Sequence, residues 1–263
     1  MTTEVAALAP HPPAVDGSAD DRAAAEIATA AGQLLQSYRL DAERAGQGPA
    51  EVRAAGDRLS HEFLVAELAR RFPGDAVLSE EGADDAARLT ADRVWIVDPL
   101  DGTREFGEFG RADWAVHVAL VERGELTTGA VAMPALGVTY STADSPTPTR
   151  PVPAAPRVVV SRTRRPEPVM AMAAALGAEL VEMGSAGAKA MAVVRGEVDI
   201  YAHAGGQYEW DSAAPVAVAR AAGLHVSRID GSVPVYNQEN PWLPDLLICR
   251  PELAGKALEV LAR

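Results

Sequence analysis

Val94-Trp95-Ile96-Val97-Asp98-Pro99-Leu100-Asp101-Gly102-Thr103-Arg104-Glu105-Phe106 opens as a short apolar run of buried-strand type and delivers two carboxylates three residues apart. Open α/β sheets bind ligands at the carboxyl ends of their strands, where Asp98 and Asp101 fall. Pro99 keeps Asp98 extended and begins a turn, and Gly102 admits a ligand close to the backbone. A helical turn starting near Gly102 would offer its free N–H groups as an anion cradle. Two acids beside an anion cradle call for a cation between them. Mg²⁺ suits this chemistry: a hard ion held by carboxylates, carbonyls and phosphate oxygens, with water completing the octahedron. The same residues also read as plain surface-turn chemistry, since Asp-Pro-x-Asp-Gly favours turns.

Haloacid-dehalogenase-type phosphatases also follow an apolar strand with acids and Gly-Thr, but as Asp-x-Asp-Gly-Thr. That spacing puts both acids on one side of an extended chain. Asp98 and Asp101 stand three apart, so the register is broken. Other acids lie elsewhere, each with an ordinary reading when taken alone. Ser79-Glu80-Glu81 follows a short apolar run and reads as a solvated loop. Asp211, in Glu209-Trp210-Asp211-Ser212, reads as a helix N-cap, and Asp57 as an exposed helical charge. Lys189, after Gly184-Ser185, reads as an exposed charge in the first turn of a helix.

The chain has 263 residues, 48% apolar and 23% charged, ordinary values for a globular protein. With 24 Lys+Arg against 37 Asp+Glu its net charge is −13, so phosphate backbones repel it and nucleic acid is not an expected partner. A bound Mg²⁺ would reverse the local field and let so acidic a protein hold an anion. The lone cysteine, Cys249, excludes an intrachain disulfide or a cysteine-cage zinc site. His11, His61, His117, His203 and His225 stand apart, with no pair at metal-ligand spacing. No apolar run approaches the roughly 20 residues of a membrane span. The N-terminus, with Pro10, Pro12 and Pro13, lacks a signal pattern, so a cytoplasmic protein without a membrane partner is expected.

Residues 1–19 are Ala/Pro-rich and expected to be mobile; a helical pattern begins at Asp20 or Asp21. A second helix is expected from about Glu51 to Phe72, sharing Leu59, Phe63, Ala66 and Leu68 on one face and stopped by Pro73-Gly74. Short strands follow at Ala76–Ser79, Val94–Val97, Trp114–Val121, Thr128–Met133 and Val138–Thr142, a run that favours a mostly antiparallel sheet. Five prolines between Pro146 and Pro156 read as a linker. It divides an N-terminal part, residues 20–145, from a C-terminal part, 157–263. There strands and helices alternate in α/β fashion: Arg157–Ser161, Glu167–Leu176, Glu179–Met183, Ala186–Arg195, Val198–His203, Asp211–Ala222, His225–Ile229, Leu246–Cys249 and a helix from Glu252. Trp95, Trp114 and Cys249 are expected in the core, and His203 in a loop.

Asp57, Ser79-Glu80-Glu81, Asp98-Pro99-Leu100-Asp101-Gly102-Thr103 and Trp210-Asp211, in this order over about residues 20–250, resemble the inositol monophosphatase superfamily of Mg²⁺-dependent, lithium-sensitive phosphatases. Asp98 to Phe106, Gly184-Ser185-Ala186-Gly187-Ala188-Lys189 and Gln207 to Pro215 look most like its CysQ-type 3′(2′),5′-bisphosphate nucleotidases, the actinobacterial ones in particular. The resemblance implies a layered α/β (α+β) sandwich of the inositol monophosphatase/fructose-1,6-bisphosphatase (sugar phosphatase) type. It implies hydrolysis of 3′-phosphoadenosine 5′-phosphate to AMP and phosphate in support of sulfate assimilation. Inositol monophosphatase or fructose-1,6-bisphosphatase activity is the alternative, and a non-catalytic nucleotide-binding protein a third. It further implies a first Mg²⁺ on Glu80, Asp98 and the Leu100 carbonyl, a second on Asp98, Asp101 and Asp211, and room for a third, weaker ion at Glu80. Asp57 and Thr103 would orient the attacking water. Glu80, Asp101, Gly102, Thr103, Arg104, Gly184, Ser185, Lys189 and Asp211 would line the substrate site, and a homodimer is implied. Arg104 stands where the family usually has Lys, which keeps the charge but changes its geometry.

Overall fold

A computed structural model of the chain describes residues 18–262. Helix α1 (Ala19–Arg44) begins one residue before Asp20 because Ser18 caps it. The Ser18 hydroxyl accepts the Asp21 N–H at 3.1 Å, and the Asp21 carboxylate accepts the Ser18 N–H at 2.9 Å, a capping box. The rest of the expected mobile stretch, residues 1–17, lies outside the described residues.

Helix α2 (Pro49–Arg71) starts on a proline and stops before Pro73-Gly74. Its buried stripe is Val52, Gly56, Ser60, Leu64 and Leu68, not the expected Leu59-Phe63-Ala66-Leu68 face; Leu59 and Phe63 are half-buried and Ala66 is exposed. Close packing explains the shift. A β-carbon at Gly56 would come within 2.6 Å of the Phe106 ring, so the helix lies down on its small residues.

Next come β1 (Ala76–Ser79), β2 (Arg93–Asp101), the single-turn α3 (Thr103–Phe106), β3 (Ala115–Glu122), β4 (Glu125–Met133) and β5 (Val138–Ser141). The five strands form one sheet in chain order, parallel between β1 and β2 and antiparallel beyond. Residues 142–156 contain neither helix nor strand. Then follow β6 (Arg157–Ser161), α4 (Glu167–Ala175), β7 (Glu179–Met183), α5 (Ala186–Val194), β8 (Ile200–Tyr208), α6 (Glu209–Ala221), β9 (His225–Ser227), β10 (Trp242–Cys249) and α7 (Pro251–Leu261). The second sheet is ordered β7-β6-β8-β10-β9.

Two strands run further than the sequence suggests. β8 continues past His203 to Tyr208, and β10 begins at Trp242 rather than Leu246; the added ends pair with each other, Trp242 opposite Tyr208 and Leu243 opposite Gln207. Gly205, Gly206 and Pro244 conceal this pairing, because glycine and proline are poor strand residues except at irregularities such as the register shift found here.

Alternation along β2 sets the layers. Trp95 and Val97 face α1 and α2 with Ile27, Leu35 and Leu64, while Val94 and Ile96 face the opposite side. That side packs on α5 and α6, through Met191, Val193 and Val216, which also meet Ile248 of the second sheet. Val158, Val160 and Leu247 cover the far face with Met172 of α4 and Leu253 of α7. The result is the expected layered sandwich, helices–sheet–helices–sheet–helices. α5 is apolar almost all round because both its sides are buried.

One buried cation holds the segment after β2. Arg39, 7% exposed, donates to the carbonyls of Phe106 at 2.8 Å, Arg111 at 2.9 Å, Glu108 at 2.7 Å and Glu105 at 3.3 Å, among the rings of Phe106, Phe109 and Trp114. Arg39→Ala strands the carbonyls of Phe106 and Arg111, at about 1–3 kcal/mol for each group left unpaired, whereas those of Glu105 and Glu108 keep the N–H groups of Glu108 and Arg111. We expect a loss of about 3 kcal/mol or more, read as a lower urea midpoint with unchanged slope. A loss below about 1 kcal/mol would show that water replaces the guanidinium.

Candidate metal and phosphate site

Parallel pairing brings the carboxyl ends of β1 and β2 together. Ser79 lies opposite Val97, so Glu80 falls beside Asp98. The turn expected at Pro99 is absent: β2 runs through Asp98-Pro99-Leu100-Asp101, and the chain turns at Gly102, whose φ is +83°. Opposite, Asp98 pairs with His117 and Asp101 with Ala115, three steps along β2 against two along β3. This is a β-bulge. In a regular strand residues three apart point to opposite faces; the extra residue cancels that alternation and lets both carboxylates converge. The Asp98 carboxylate accepts the Leu100 N–H at 3.0 Å.

Asp211 arrives from the middle layer as the third residue of α6, not as its N-cap; its carboxylate accepts the Tyr208 N–H at 2.6 Å. One oxygen from each of Asp98, Asp101 and Asp211 lies within 4.8 Å of the others. Such crowding is costly without a cation. Burial, then the charges of Glu80, Asp101 and Asp211, push the Asp98 carboxyl well above its ordinary range. Burial and Asp101 push Asp211 up to about 6. Glu80 is exposed as a residue, yet desolvation and then the charge of Asp211 push its carboxyl up to about 7.

Asp101 behaves differently. Burial disfavours its charge, but His117, then Lys189 and the Ser185 hydroxyl, more than compensate and hold it well below the usual carboxylate range. Its oxygens accept the Ser185 hydroxyl and the N–H groups of Ala186 at 3.0 Å and Gly187 at 2.6 Å, at the amino end of α5. Gly187 is needed there, because a β-carbon would fall 2.1 Å from His117 Nε2. His117 is fully buried, with Nδ1 3.0 Å from the Trp210 carbonyl and Nε2 3.3 Å from Asp101. Lys189 is not an exposed first-turn charge: it is 7% exposed, and its ammonium donates to the carbonyls of Ser185 at 2.6 Å and Gly184 at 3.4 Å.

Thr103, at the head of α3, reaches Asp57 on α2 with its hydroxyl 3.2 Å from the carboxylate, and 2.9 Å from the Leu100 carbonyl. Burial first and Glu81 second push Asp57 up to about 6, against the lowering effect of Thr103. Asp101, Arg104, Gly184, Ser185, Lys189 and Asp211 all line one cavity of about 450 Å³. Arg104 is exposed and paired with Glu108 at 3.3 Å. The same cavity carries Arg162 and Arg164 on the β6–α4 loop and His203 within β8 rather than in a loop.

The model for the inositol monophosphatase family matches residues 18–262. The chain belongs to the inositol monophosphatase family. A 3′-phosphoadenosine 5′-phosphate phosphatase of Mycobacterium leprae is 50% identical over 255 residues, covering 92% of this chain and 93% of that one. The 3′(2′),5′-bisphosphate nucleotidase CysQ of Escherichia coli is 31% identical over 208 residues, 72% and 81% of the two chains. The crystal structure of CysQ from Bacteroides thetaiotaomicron superposes with a TM-score of 0.73 at 29% identity, covering 88% of this chain and 97% of that one.

The family is metal-dependent, and this site fits a metal. Its nearest donors are carboxylate oxygens, suited to a hard cation, and burial has raised Asp98, Asp211 and Glu80 in the direction a cation would reverse. Of the residues singled out in the sequence, Asp98 joins Asp101 and Asp211 in the acidic trio, Thr103 pairs with Asp57 and the Leu100 carbonyl, and Gly102 packs on Ser185. His117, Arg162 and Arg164 were missed. His117 enters through its register with Asp98, and the arginines through the return of β6 to the cavity, neither of which is written in local sequence.

Proposed function

We propose that the chain is a Mg²⁺-dependent 3′-phosphoadenosine 5′-phosphate phosphatase releasing AMP and phosphate, the activity that links it to sulfate assimilation. The observation that carries the reading is a single cavity lined both by acids, Asp101 and Asp211, and by the arginines Arg162, which also pairs with Glu105 and Glu108, and Arg164. Such a cavity suits a small molecule with two phosphates, one to be cleaved at the acids and one held by cations. The name of the 50% identical mycobacterial relative supports the same substrate.

Glu80, Asp98 and the Leu100 carbonyl would hold one Mg²⁺, and Asp98, Asp101 and Asp211 a second, with a third, weaker ion at Glu80. Bound Mg²⁺ would acidify a coordinated water and offset charge on the leaving oxygen. The chain's own residues do the rest. Thr103 and Asp57 form a hydroxyl–carboxylate pair that can orient water and take up its proton, and a carboxyl pushed up to about 6 suits that task near neutral pH. Gly102, Thr103 and Arg104 would border the scissile phosphate. Lys189 ties down Gly184 and Ser185 and places positive charge under the same wall. A homodimer in the cytoplasm completes the reading. No helix among the described residues is long and apolar enough to cross a membrane.

Phosphate release from the adenosine bisphosphate, inositol 1-phosphate and fructose 1,6-bisphosphate, each with Mg²⁺ or EDTA, tests this. The expected result is a preference for the adenosine bisphosphate, lost in EDTA. A preference for inositol phosphate would move the chain to the alternative activity, and tight nucleotide binding without phosphate release to a binding protein.

A further inference from the structure

Two phosphates and a ribose leave the base of the substrate unaccounted for. The second sheet shows where it can go. β8 lies between β6 and β10, parallel to the first and antiparallel to the second, so the end of β6, the end of β8 and the start of β10 meet at one edge. The arginine loop after β6 and Trp242 at the start of β10 therefore flank the Ala204–Tyr208 arm from opposite sides, and both line the cavity.

Trp242 and Tyr208 are direct cross-strand partners and share a face of the ribbon. They are 47% and 46% exposed, unlike the buried Trp95 and Trp114. Tyr208 already spends one ring face on Trp210, stacked at 4.7 Å and 9°. The Trp242 indole leans over Gly206, where a β-carbon would come within 2.6 Å of its Nε1 and 2.9 Å of Cε2 and Cζ2. Gly206, with φ +90°, thus provides a seat that any other residue would fill. A flat aromatic seated on backbone, half open, and set across the arm from the arginines has the chemistry of a base platform: every base has a π-face, and stacking needs no particular hydrogen-bond pattern.

We propose that Trp242, seated on Gly206 beside Tyr208, is the stacking platform for the base of the nucleotide substrate, and so determines the preference for nucleotide over sugar phosphates. The assignment rests on the function proposed above. The test compares adenosine 3′,5′-bisphosphate with the same sugar bisphosphate lacking its base, in the Mg²⁺-loaded full chain and its Trp242→Ala and Trp242→Phe variants. Trp242→Ala should lower kcat/KM for the nucleotide about tenfold or more, leave the baseless compound unchanged, and weaken AMP binding by a similar factor in calorimetry. Trp242→Phe should recover most of the loss. An equal loss on both compounds, or no loss on the nucleotide, overturns the platform while the substrate reading stands. A wild-type chain that hydrolyses inositol phosphate but not the nucleotide overturns both.

Discussion

Asp98→Asn is expected to raise the melting temperature of the metal-free protein while abolishing both catalysis and stabilisation by Mg²⁺. Asp98 is 1% exposed, among Glu80, Asp101 and Asp211, and burial and those charges hold its carboxyl well above the usual range. Its charge therefore destabilises the fold when no cation is present. Asparagine keeps the acceptor for the Leu100 N–H, removes the charge and offers N–H donors to the neighbouring carboxylates. A gain of even 1 kcal/mol corresponds to about 2–4 °C for a chain of this size. In the wild type, millimolar Mg²⁺ should raise the melting temperature by several degrees through mass action on the native state. In the variant that shift should all but vanish, with phosphate release down about 10³-fold or more, since a bound metal supplies several kcal/mol of transition-state stabilisation. A variant that melts lower than wild type in EDTA and still responds fully to Mg²⁺ would remove Asp98 from the metal site.

The same acids set a pH dependence. The folded carboxyls of Asp57 and Asp211, near 6, and Glu80, near 7, hold protons more tightly than the ordinary 3.8 and 4.5 of free groups. The native state thus binds more protons than the unfolded one between pH 4 and 7, and metal-free stability falls as pH rises through that window. Asp101, held low, has delivered its stabilising share above about pH 4 and does not alter this trend. Melting in EDTA should drop steadily from pH 5 to 7.5, and the Mg²⁺-induced gain should grow. A flat EDTA profile would contradict the crowded-acid description.

Thr103→Val should lower kcat by about 10²-fold or more, the usual reach of acid–base assistance, with KM and Mg²⁺ binding little changed. The hydroxyl lies 3.2 Å from Asp57, and neither residue belongs to the acidic trio that would hold metal. Asp57→Asn should act alike, and the double variant should be little worse than either single one, because both remove one function. Wild-type kcat should fall below about pH 6 as Asp57 takes up its proton, and that limb should vanish in Asp57→Asn. Multiplicative losses in the double variant would mean that the two groups act separately.

Local sequence was enough to mark Asp98 and Asp101 as acids at a strand end, to locate nearly every helix and strand within a few residues, and to place Trp95, Trp114 and Cys249 in the core. Those features depend on apolar period, caps and breakers, which act over one or two turns of chain. The motif order of Asp57, Glu80, Asp98, Asp101 and Asp211 went further and marked the family. Only the tertiary structure decided that the acids meet. Asp98 and Asp101 converge through a bulge whose existence depends on how β3 is registered, and Asp211 reaches them because α6 is packed between two sheets. His117 joins through that same register, and the hidden pairing of β8 with β10 creates the Trp242 edge. Strand register and layer packing are settled by side chains far apart in the sequence, whose burial fixes which residues face each other. No local pattern encodes that choice, so the chemistry of this protein is legible along the chain but its site exists only in the fold.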